Sequence, residues 1–398
     1  MMGRLGGFFT SCLLAFTAGH MFNYTIILYL QEAVGSDLLS GIGFGLAFGS
    51  SIVFGWFAGV VCDRMPPHRV IHAAQALFLA GLACLWWAHS GADDQSRVTW
   101  VLFGAFLGGL AWSFGGPARL TALAQMARPE ELRPATIVFN LQVLVGFGLA
   151  PLLIGVVRSR AGWDAVMGVS ATGFVLASIL IANLHTQANA TPSGNSVLAD
   201  IGEGFRVVGA DPLLKQLMLA AVLAYAMTGP LQILLPKLAR EILHLSELQR
   251  GAYLGLLALS LIAGGVSALL LARRVHHGLV VLAGIIATYL VFALLGQITS
   301  VALSIATLAC VGITGGMVIS LVVSGIQAQA PVALRGRVMS MYSITSQVVP
   351  ALSGVSAGAL VNAVGVTSAI ELSGLALAGI VALVAWQMPQ LRRYSGQN

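Results

Sequence analysis

Residues 59–69 read Gly-Val-Val-Cys-Asp-Arg-Met-Pro-Pro-His-Arg, a short charged stretch between two long apolar runs. The flanking runs, near residues 39–62 and 70–89, are each long enough to cross a bilayer as a helix. An acid, two arginines, a histidine and two prolines in so short a link belong in water or headgroups, and the prolines stop either helix from continuing. The stretch therefore predicts a tight polar turn between two membrane-spanning helices.

The composition extends this interpretation to the whole chain. Hydrophobic residues make up 58% of the sequence and charged residues only 9%, whereas about a quarter of the residues in a soluble domain are charged. The net charge of +6 comes from lysines and arginines placed singly or in pairs at the ends of apolar runs. Such placement marks membrane topology rather than a nucleic-acid surface. We expect a multi-pass protein of the lipid bilayer, with no nucleic-acid partner.

Apolar runs bounded by charged or turn residues predict an all-α membrane protein with twelve transmembrane helices. The first run follows Arg4 and is too long for a signal peptide, so we expect it to remain as the first span. An even number of spans puts both termini on one side, and the lysine and arginine bias makes that side the cytoplasm. The predicted spans lie near residues 8–30, 39–62, 70–89, 98–122, 134–157, 163–184, 213–236, 250–271, 278–297, 300–325, 338–361 and 366–388.

The longest inner link divides these spans six and six. Residues 1–184 form a predicted N-terminal six-helix half, 185–212 a central cytoplasmic loop with an amphipathic helix, and 213–398 a C-terminal six-helix half. Gln125 with residues 129–133 aligns with Gln327 and residues 331–335, about 200 positions later, as expected for duplicated halves. Coincidence in so biased a composition is the alternative.

Enzyme chemistry has few residues to support it. The sequence holds no Walker loop for ATP and no His-Glu-x-x-His zinc motif. The four cysteines have neither metal nor redox spacing. We expect no enzymatic activity, no catalytic residues, no cofactor and no metal.

The opening stretch resembles the loop signature of the major facilitator superfamily, Gly-x-x-x-Asp-Arg followed by a basic cluster after the second span. Gly59, Asp63 and Arg64 match it and Arg69 supplies part of the basic end, whereas Pro67 departs from it. The resemblance implies a twelve-helix facilitator fold in which the Asp63 carboxylate caps a neighbouring helix and charge pairs gate alternating access. The alternative is an ordinary positive loop that anchors two helices.

The fifth predicted span carries a second motif. Gly146, Pro151 and Gly155 resemble the glycine and proline pattern of antiporting facilitators, with Ala150 and Ile154 in place of two glycines. The resemblance implies antiport, with the proton as the coupling ion. The alternative is close helix packing through small residues.

Three further segments indicate a branch of the superfamily. Residues 116–119, 129–132 and 331–342 resemble the enterobactin-exporter-like branch of transmembrane secretion effectors, and an alcaligin-type siderophore exporter is a candidate closer relative. This implies export of a small polar metabolite of the siderophore class from the cytoplasm across a bacterial inner membrane, with a role in iron homeostasis. Multidrug efflux is the main alternative, followed by a lipid flippase and a non-transporting sensor.

Polar residues within apolar spans are costly unless they face a cavity or a partner, so they are the candidates for binding cargo. His20 could also carry a proton, since its ordinary pKa is about 6.5, and Arg119 could attract an anion or extend to the headgroups. For each residue the alternative is a hydrogen bond to a neighbouring helix. The candidates come from the first, fourth and seventh spans, which line the cavity in this superfamily: His20, Asn23, Tyr24, Trp112, Arg119, Tyr225, Thr228 and Gln232.

Overall fold

A computed structural model describes residues 2–188, 197–271, 277–331 and 334–395. The side chain of Asp63 and position 59 lie outside this description, as do positions 332 and 333 of the predicted repeat and most of the polar part of the central loop. Within the described ranges the chain is helical, and no strand occurs there. The helices are α1 (Met2–Glu32), α2 (Asp37–Arg64), α3 (Pro67–Ser90), α4 (Asp94–Met126), α5 (Pro129–Leu180), α6 (Val197–Ala210), α7 (Pro212–Tyr225), α8 (Thr228–Glu241), α9 (Glu247–Leu271), α10 (His277–Leu294), α11 (Val301–Gln329), α12 (Arg335–Val364), α13 (Val366–Trp386) and α14 (Pro389–Arg393).

The described residues contain eleven helical segments long and apolar enough to cross a membrane. One of them, α5, has 52 residues and is interrupted at Gly162, where φ is 71° and ψ is −165°. Glycine takes this left-handed φ without steric cost, so α5 holds the fifth and sixth predicted spans with a one-residue turn between them. The predicted all-α fold with twelve spans is confirmed.

Local signals explain where the helices begin and end. The Ser36 hydroxyl accepts a hydrogen bond from the Leu39 N–H and caps α2, and the Asp211 carboxylate caps α7 in the same way. Proline occupies the first turn of α3, α5 and α7, where its missing N–H costs nothing. Helix α2 ends at Arg64 and α3 begins at Pro67, so the charged stretch forms the tight turn that its prolines predict.

The seventh span differs from the prediction of one helix over residues 213–236. Helix α7 ends at Tyr225 and α8 begins at Thr228. Pro230 has no N–H to donate to the carbonyl of Ala226 four residues earlier, which weakens the helix at this point. The Leu223 carbonyl, one turn before the break, accepts a hydrogen bond from the Tyr289 hydroxyl of α10.

The chain forms two compact units. The first comprises residues 1–194 together with residues 245–255, so it includes α1 to α5 and the first turns of α9. Its core is aromatic: Phe22 packs edge-on against Phe78, whose ring stacks on Phe174 at 4.5 Å. After α5 the chain is held to this unit, because Thr186 bonds to His68 and Gln187 to Gln125.

The second unit comprises residues 195–244 and 256–398. Helix α6, predicted as amphipathic, packs on α12 through an ion pair between Glu203 and Arg337 and through Gly204, which faces Met341. Phe205 on the opposite side of α6 is 61% exposed. The placement of this helix on the inner membrane face stays a prediction.

Candidate functional site

The middle of α1 carries buried polar atoms that the protein leaves unpaired. His20 and Asn23 are 9% and 5% exposed. The His20 Nε2 atom and both polar atoms of the Asn23 amide have no hydrogen-bond partner among the described residues. Buried polar groups in native proteins are nearly always hydrogen-bonded, and each exception calls for an explanation. These two side chains therefore have capacity to bind something that is not part of the chain.

The His20 ring belongs to a continuous row of aromatic rings. Tyr24 contacts Phe147 at 5.8 Å, and Phe147 meets His20 edge-on at 5.4 Å. His20 lies 5.0 Å from Trp112, which stacks on Phe16 with an interplanar angle of 2°. The distances are between ring centroids. Helices α1, α4 and α5 thus meet in one row of aromatic rings that includes His20 and Tyr24, and Asn23 lies between these two residues on α1.

Two glycines permit this arrangement. A Cβ at Gly19 would lie 2.8 Å from the Trp112 ring, so the bare backbone of α1 makes room for the indole. A Cβ at Gly146 would lie 2.9 Å from the Thr17 backbone nitrogen, so this first glycine of the predicted antiport motif lets α5 approach α1. Small residues at helix contacts in membranes serve this purpose. Gly146 thereby brings Phe147 against His20 and Tyr24.

The rest of the antiport motif contacts the first turns of α9, within the same unit. A Cβ at Gly155 would lie 2.6 Å from the Glu247 carbonyl oxygen. The Pro151 carbonyl faces Gly251. The motif therefore produces close backbone packing on both α1 and α9. Its role in antiport stays a prediction.

Arg119 occupies a different environment from the row of rings. It is 3% exposed, and its Nη1 lies 3.4 Å from the Ser11 hydroxyl and 3.5 Å from the Cys12 sulfur. Its guanidinium carbon also lies 5.9 Å from the centre of the Phe16 ring. The interpretation that it extends to the headgroups is wrong, because this side chain ends inside the first unit. It lines a cavity of about 20 Å³, which is too small for a metabolite.

The basic residues of the opening stretch lie at the surface. Arg64 in the last turn of α2 and Arg69 in the first turn of α3 are both exposed. The Asp63 side chain, on which the gating interpretation depends, lies outside the described residues. The gating role of Gly59, Asp63, Arg64 and Arg69 stays a prediction.

The second unit contains three of the predicted cargo-binding residues, and they lie near one another along the chain. The Tyr225 hydroxyl at the end of α7 lies 2.8 Å from the Tyr342 hydroxyl of α12. Gln232 on α8 is 7% exposed, and its Oε1 has no partner among the described residues. Thr228 begins α8 at the break in the seventh span. The predicted site residues of this unit therefore lie at, or about one turn from, a helix interruption.

Several residues of these surroundings were not predicted from the sequence. Phe147 and Phe16 have no polar atoms, and nothing in an apolar run distinguishes a ring that faces a site from one that faces lipid. Gln75 of α3 is 3% exposed, with its Nε2 unpaired among the described residues, and it lines the same cavity as Arg119. As a polar residue within an apolar run, Gln75 shows the same sequence feature as His20 and Asn23.

Comparisons with known proteins agree with this architecture. The profile of the Major Facilitator Superfamily matches residues 8–354. The chain is 24% identical over 367 residues to the enterobactin exporter EntS of Escherichia coli O1:K1. The alignment covers 92% of this chain and 87% of that protein. It is also 24% identical to EntS of Citrobacter koseri, in an alignment that covers 87% of this chain and 82% of that protein.

Solved structures show the same fold at low identity. A POT family transporter in complex with 5-aminolevulinic acid matches with a TM-score of 0.77 at 13% identity, over 97% of this chain and 96% of the other. A bacterial homologue of the human lysosomal transporter Spinster, inward-facing and unoccupied, matches with a TM-score of 0.73 at 15% identity. The match covers 98% of this chain and 96% of the other. With a family match over most of its length and this helical architecture, the chain belongs to the major facilitator superfamily.

Proposed function

We propose that this protein is a secondary active transporter that exports a small polar metabolite of the siderophore class from the cytoplasm across a bacterial inner membrane. The similarity to enterobactin exporters over nine-tenths of the chain supports this cargo class. The supporting observation from the structure is the set of unpaired polar atoms on His20 and Asn23 beside the row of rings. Aromatic faces and polar groups together suit a cargo that carries both rings and hydrogen-bonding groups.

In this proposal each residue of the first unit has a distinct part. Trp112 and Tyr24 offer ring faces to the cargo, whereas His20 and Asn23 offer hydrogen bonds. Tyr225, Thr228 and Gln232 are the proposed cargo contacts of the second unit. Arg119 is left out, because the cavity beside it has a volume of only about 20 Å³.

The proposed energy source is proton antiport by alternating access, with His20 as the candidate proton carrier. The test uses proteoliposomes loaded with siderophore and a pH step of either sign across the membrane. Antiport predicts that cargo leaves faster when the opposite compartment is acidic, and that His20→Gln removes this dependence. Equal rates under both gradients would contradict proton coupling but leave the transporter proposal standing.

The cargo itself is tested in cells. A strain lacking the gene and grown without iron is expected to retain siderophore in the cytoplasm and to secrete less, and the wild-type gene should restore secretion. Multidrug efflux is the second candidate, because an aromatic site also accepts apolar drugs. It predicts the opposite pattern, in which the deletion strain becomes sensitive to unrelated drugs while siderophore secretion stays normal.

The gating motif has its own test. Asp63→Asn keeps the size of the side chain and removes its charge, so we expect membrane insertion to be intact and export to fall about tenfold. Asp93→Asn is the matched control, because Asp93 caps α4 at an exposed position away from the motif. Unchanged export in Asp63→Asn would leave the ordinary anchoring loop as the better interpretation.

A further inference from the structure

A small cavity in the first unit is lined by Gln75 and Arg119, which the proposed transport does not use, and by Trp112, of which it uses only the ring face. It lies between α1, α3, α4 and α5 and has a volume of about 20 Å³. A space of this size holds a single water-sized species. Its lining includes Phe16, Gln75, Trp112 and Arg119. We call it the Arg119 cavity.

The charge of Arg119 has no counter-charge within the described part of the chain. Its hydrogen-bond partners among the described residues, the Ser11 hydroxyl and the Cys12 sulfur, are neutral and lie at 3.4 Å and 3.5 Å from Nη1. No described carboxylate lies within ion-pair distance of its guanidinium group. A buried charge is expensive unless it is paired. The cavity therefore favours a ligand that carries a negative charge.

The other polar groups of the cavity also lack acceptors. The Gln75 Oε1 already accepts a hydrogen bond from the Ser178 hydroxyl, which leaves its Nε2 donor without a described partner. The Trp112 Nε1 is likewise unpaired, and an indole N–H can only donate. Arginine has five donors and no acceptor. Every unpaired polar group known in this lining is therefore a donor.

Water and an anion would interact differently with a lining of hydrogen-bond donors. A water molecule could accept from two of these donors, but it carries no charge that would neutralise the guanidinium group. A small anion accepts from all of them and neutralises the guanidinium group. We propose that the Arg119 cavity binds a small monovalent anion such as chloride, held by Arg119, Gln75 and Trp112 as an integral part of the first unit.

The test measures the thermal stability of the purified full-length protein in detergent at constant ionic strength. Chloride is titrated against gluconate, which is too large for the cavity. We expect the melting temperature to rise saturably with chloride and bromide but not with gluconate. Arg119→Gln should abolish the rise, whereas Arg133→Gln, which removes an exposed arginine of the same unit, should keep it.

Two further measurements make the result independent of how well Arg119→Gln folds. Gln75→Leu is expected to raise the half-saturating chloride concentration about tenfold, as the loss of one charge-assisted hydrogen bond predicts. Crystals of the wild-type protein grown with bromide should show anomalous scattering between Gln75, Trp112 and Arg119.

Three outcomes would overturn the proposal. They are equal melting temperatures in chloride and gluconate, a chloride effect that survives in Arg119→Gln, and a bromide-free cavity in the crystal. None of these measurements involves cargo, so their failure leaves the export proposal untouched.

Discussion

Arg250 Nη1 lies 2.8 Å from Glu32 Oε1, although 218 positions separate the two residues in the chain. Arg158 Nη2 approaches the other Glu32 oxygen at 2.5 Å, and its guanidinium carbon lies 4.0 Å from the centre of the Trp163 ring. Glu247 completes the cluster, at 3.4 Å from Arg158 and 2.9 Å from Arg250. Two acids and two arginines therefore neutralise one another and tie the last turn of α1 to the first turn of α9.

Removing the shared acid tests this cluster. Glu32→Gln leaves two arginines, whose side chains are only 14–15% exposed, with the single carboxylate of Glu247, which is 30% exposed. Charge-assisted hydrogen bonds contribute about 1.5–3 kcal/mol, so we expect the melting temperature to fall by about 5 °C. Glu130→Gln at an exposed position of α5 is the control, with an expected change of about 1 °C. Equal effects of the two substitutions would mean that the cluster contributes little.

Apolar substitutions in the middle of α1 should separate stability from transport. His20→Leu and Asn23→Leu remove polar atoms that have no described partner, so melting temperatures are expected to stay level or rise by a few degrees. Export should fall about tenfold or more in each variant, because the groups proposed to bind cargo are gone. Thr25→Val is the control, since that hydroxyl bonds to the Met21 carbonyl of its own helix. Normal export by the double variant would remove these residues from the site.

Substitutions of two tyrosines of the second unit are both expected to lower stability, but only one of them is expected to change transport. Tyr289→Phe leaves the Leu223 carbonyl without its side-chain donor beside the break in the seventh span, which should cost about 1–3 kcal/mol of unfolding free energy. Tyr225→Phe removes a hydroxyl that pairs with Tyr342, and we expect about 1 kcal/mol of destabilisation together with a severalfold higher KM for cargo. Melting curves of both variants measure the loss of stability, and transport kinetics measure the KM for cargo. A normal KM for Tyr225→Phe would argue against its proposed cargo contact.

The glycines of α5 offer a matched pair. Gly155→Ala would place its Cβ 2.6 Å from the Glu247 carbonyl oxygen, where only backbone movement could relieve the clash. We expect about 1–3 kcal/mol of destabilisation and reduced export. A Cβ at Gly168 meets nothing within 4 Å, so Gly168→Ala is expected to stabilise the same helix by about 0.5–1 kcal/mol. If both substitutions were neutral, the close packing of α5 on α9 would not be needed.

Hydrophobic run length was sufficient to predict the transmembrane helices, because lipid forces the backbone of every span to pair with itself. The charged turn after Arg64 follows from the prolines that end a helix, and the cap at Asp211 follows from the preference of aspartate for the N-cap position of a helix. Both features can be predicted from the local sequence. The break after Tyr225 was not predicted, since Pro230 lies in the middle of a predicted span and its effect falls on a carbonyl four residues earlier. Its consequence also depends on Tyr289, a residue far away in the sequence.

The site was only partly predictable for a related reason. His20, Asn23 and Tyr24 are recognisable as polar residues in an apolar run at helical spacing, but their ring neighbours depend on which faces of α4 and α5 meet α1. The cargo contact assigned to Arg119 stays a prediction, and it was dropped from the proposal for a physical reason. Sequence places a charge in a span but does not give the volume around it, and the structure gives that arginine a space of about 20 Å³.

The one-residue turn at Gly162 limits how this protein can be labelled. Inserting an epitope or a fluorophore there would force new residues into a backbone that only glycine adopts readily, and it would unwind the ends of two long helical stretches. The link around Gly91 and Asp93, which is exposed and joins separate helices, is a safer place for a reporter group.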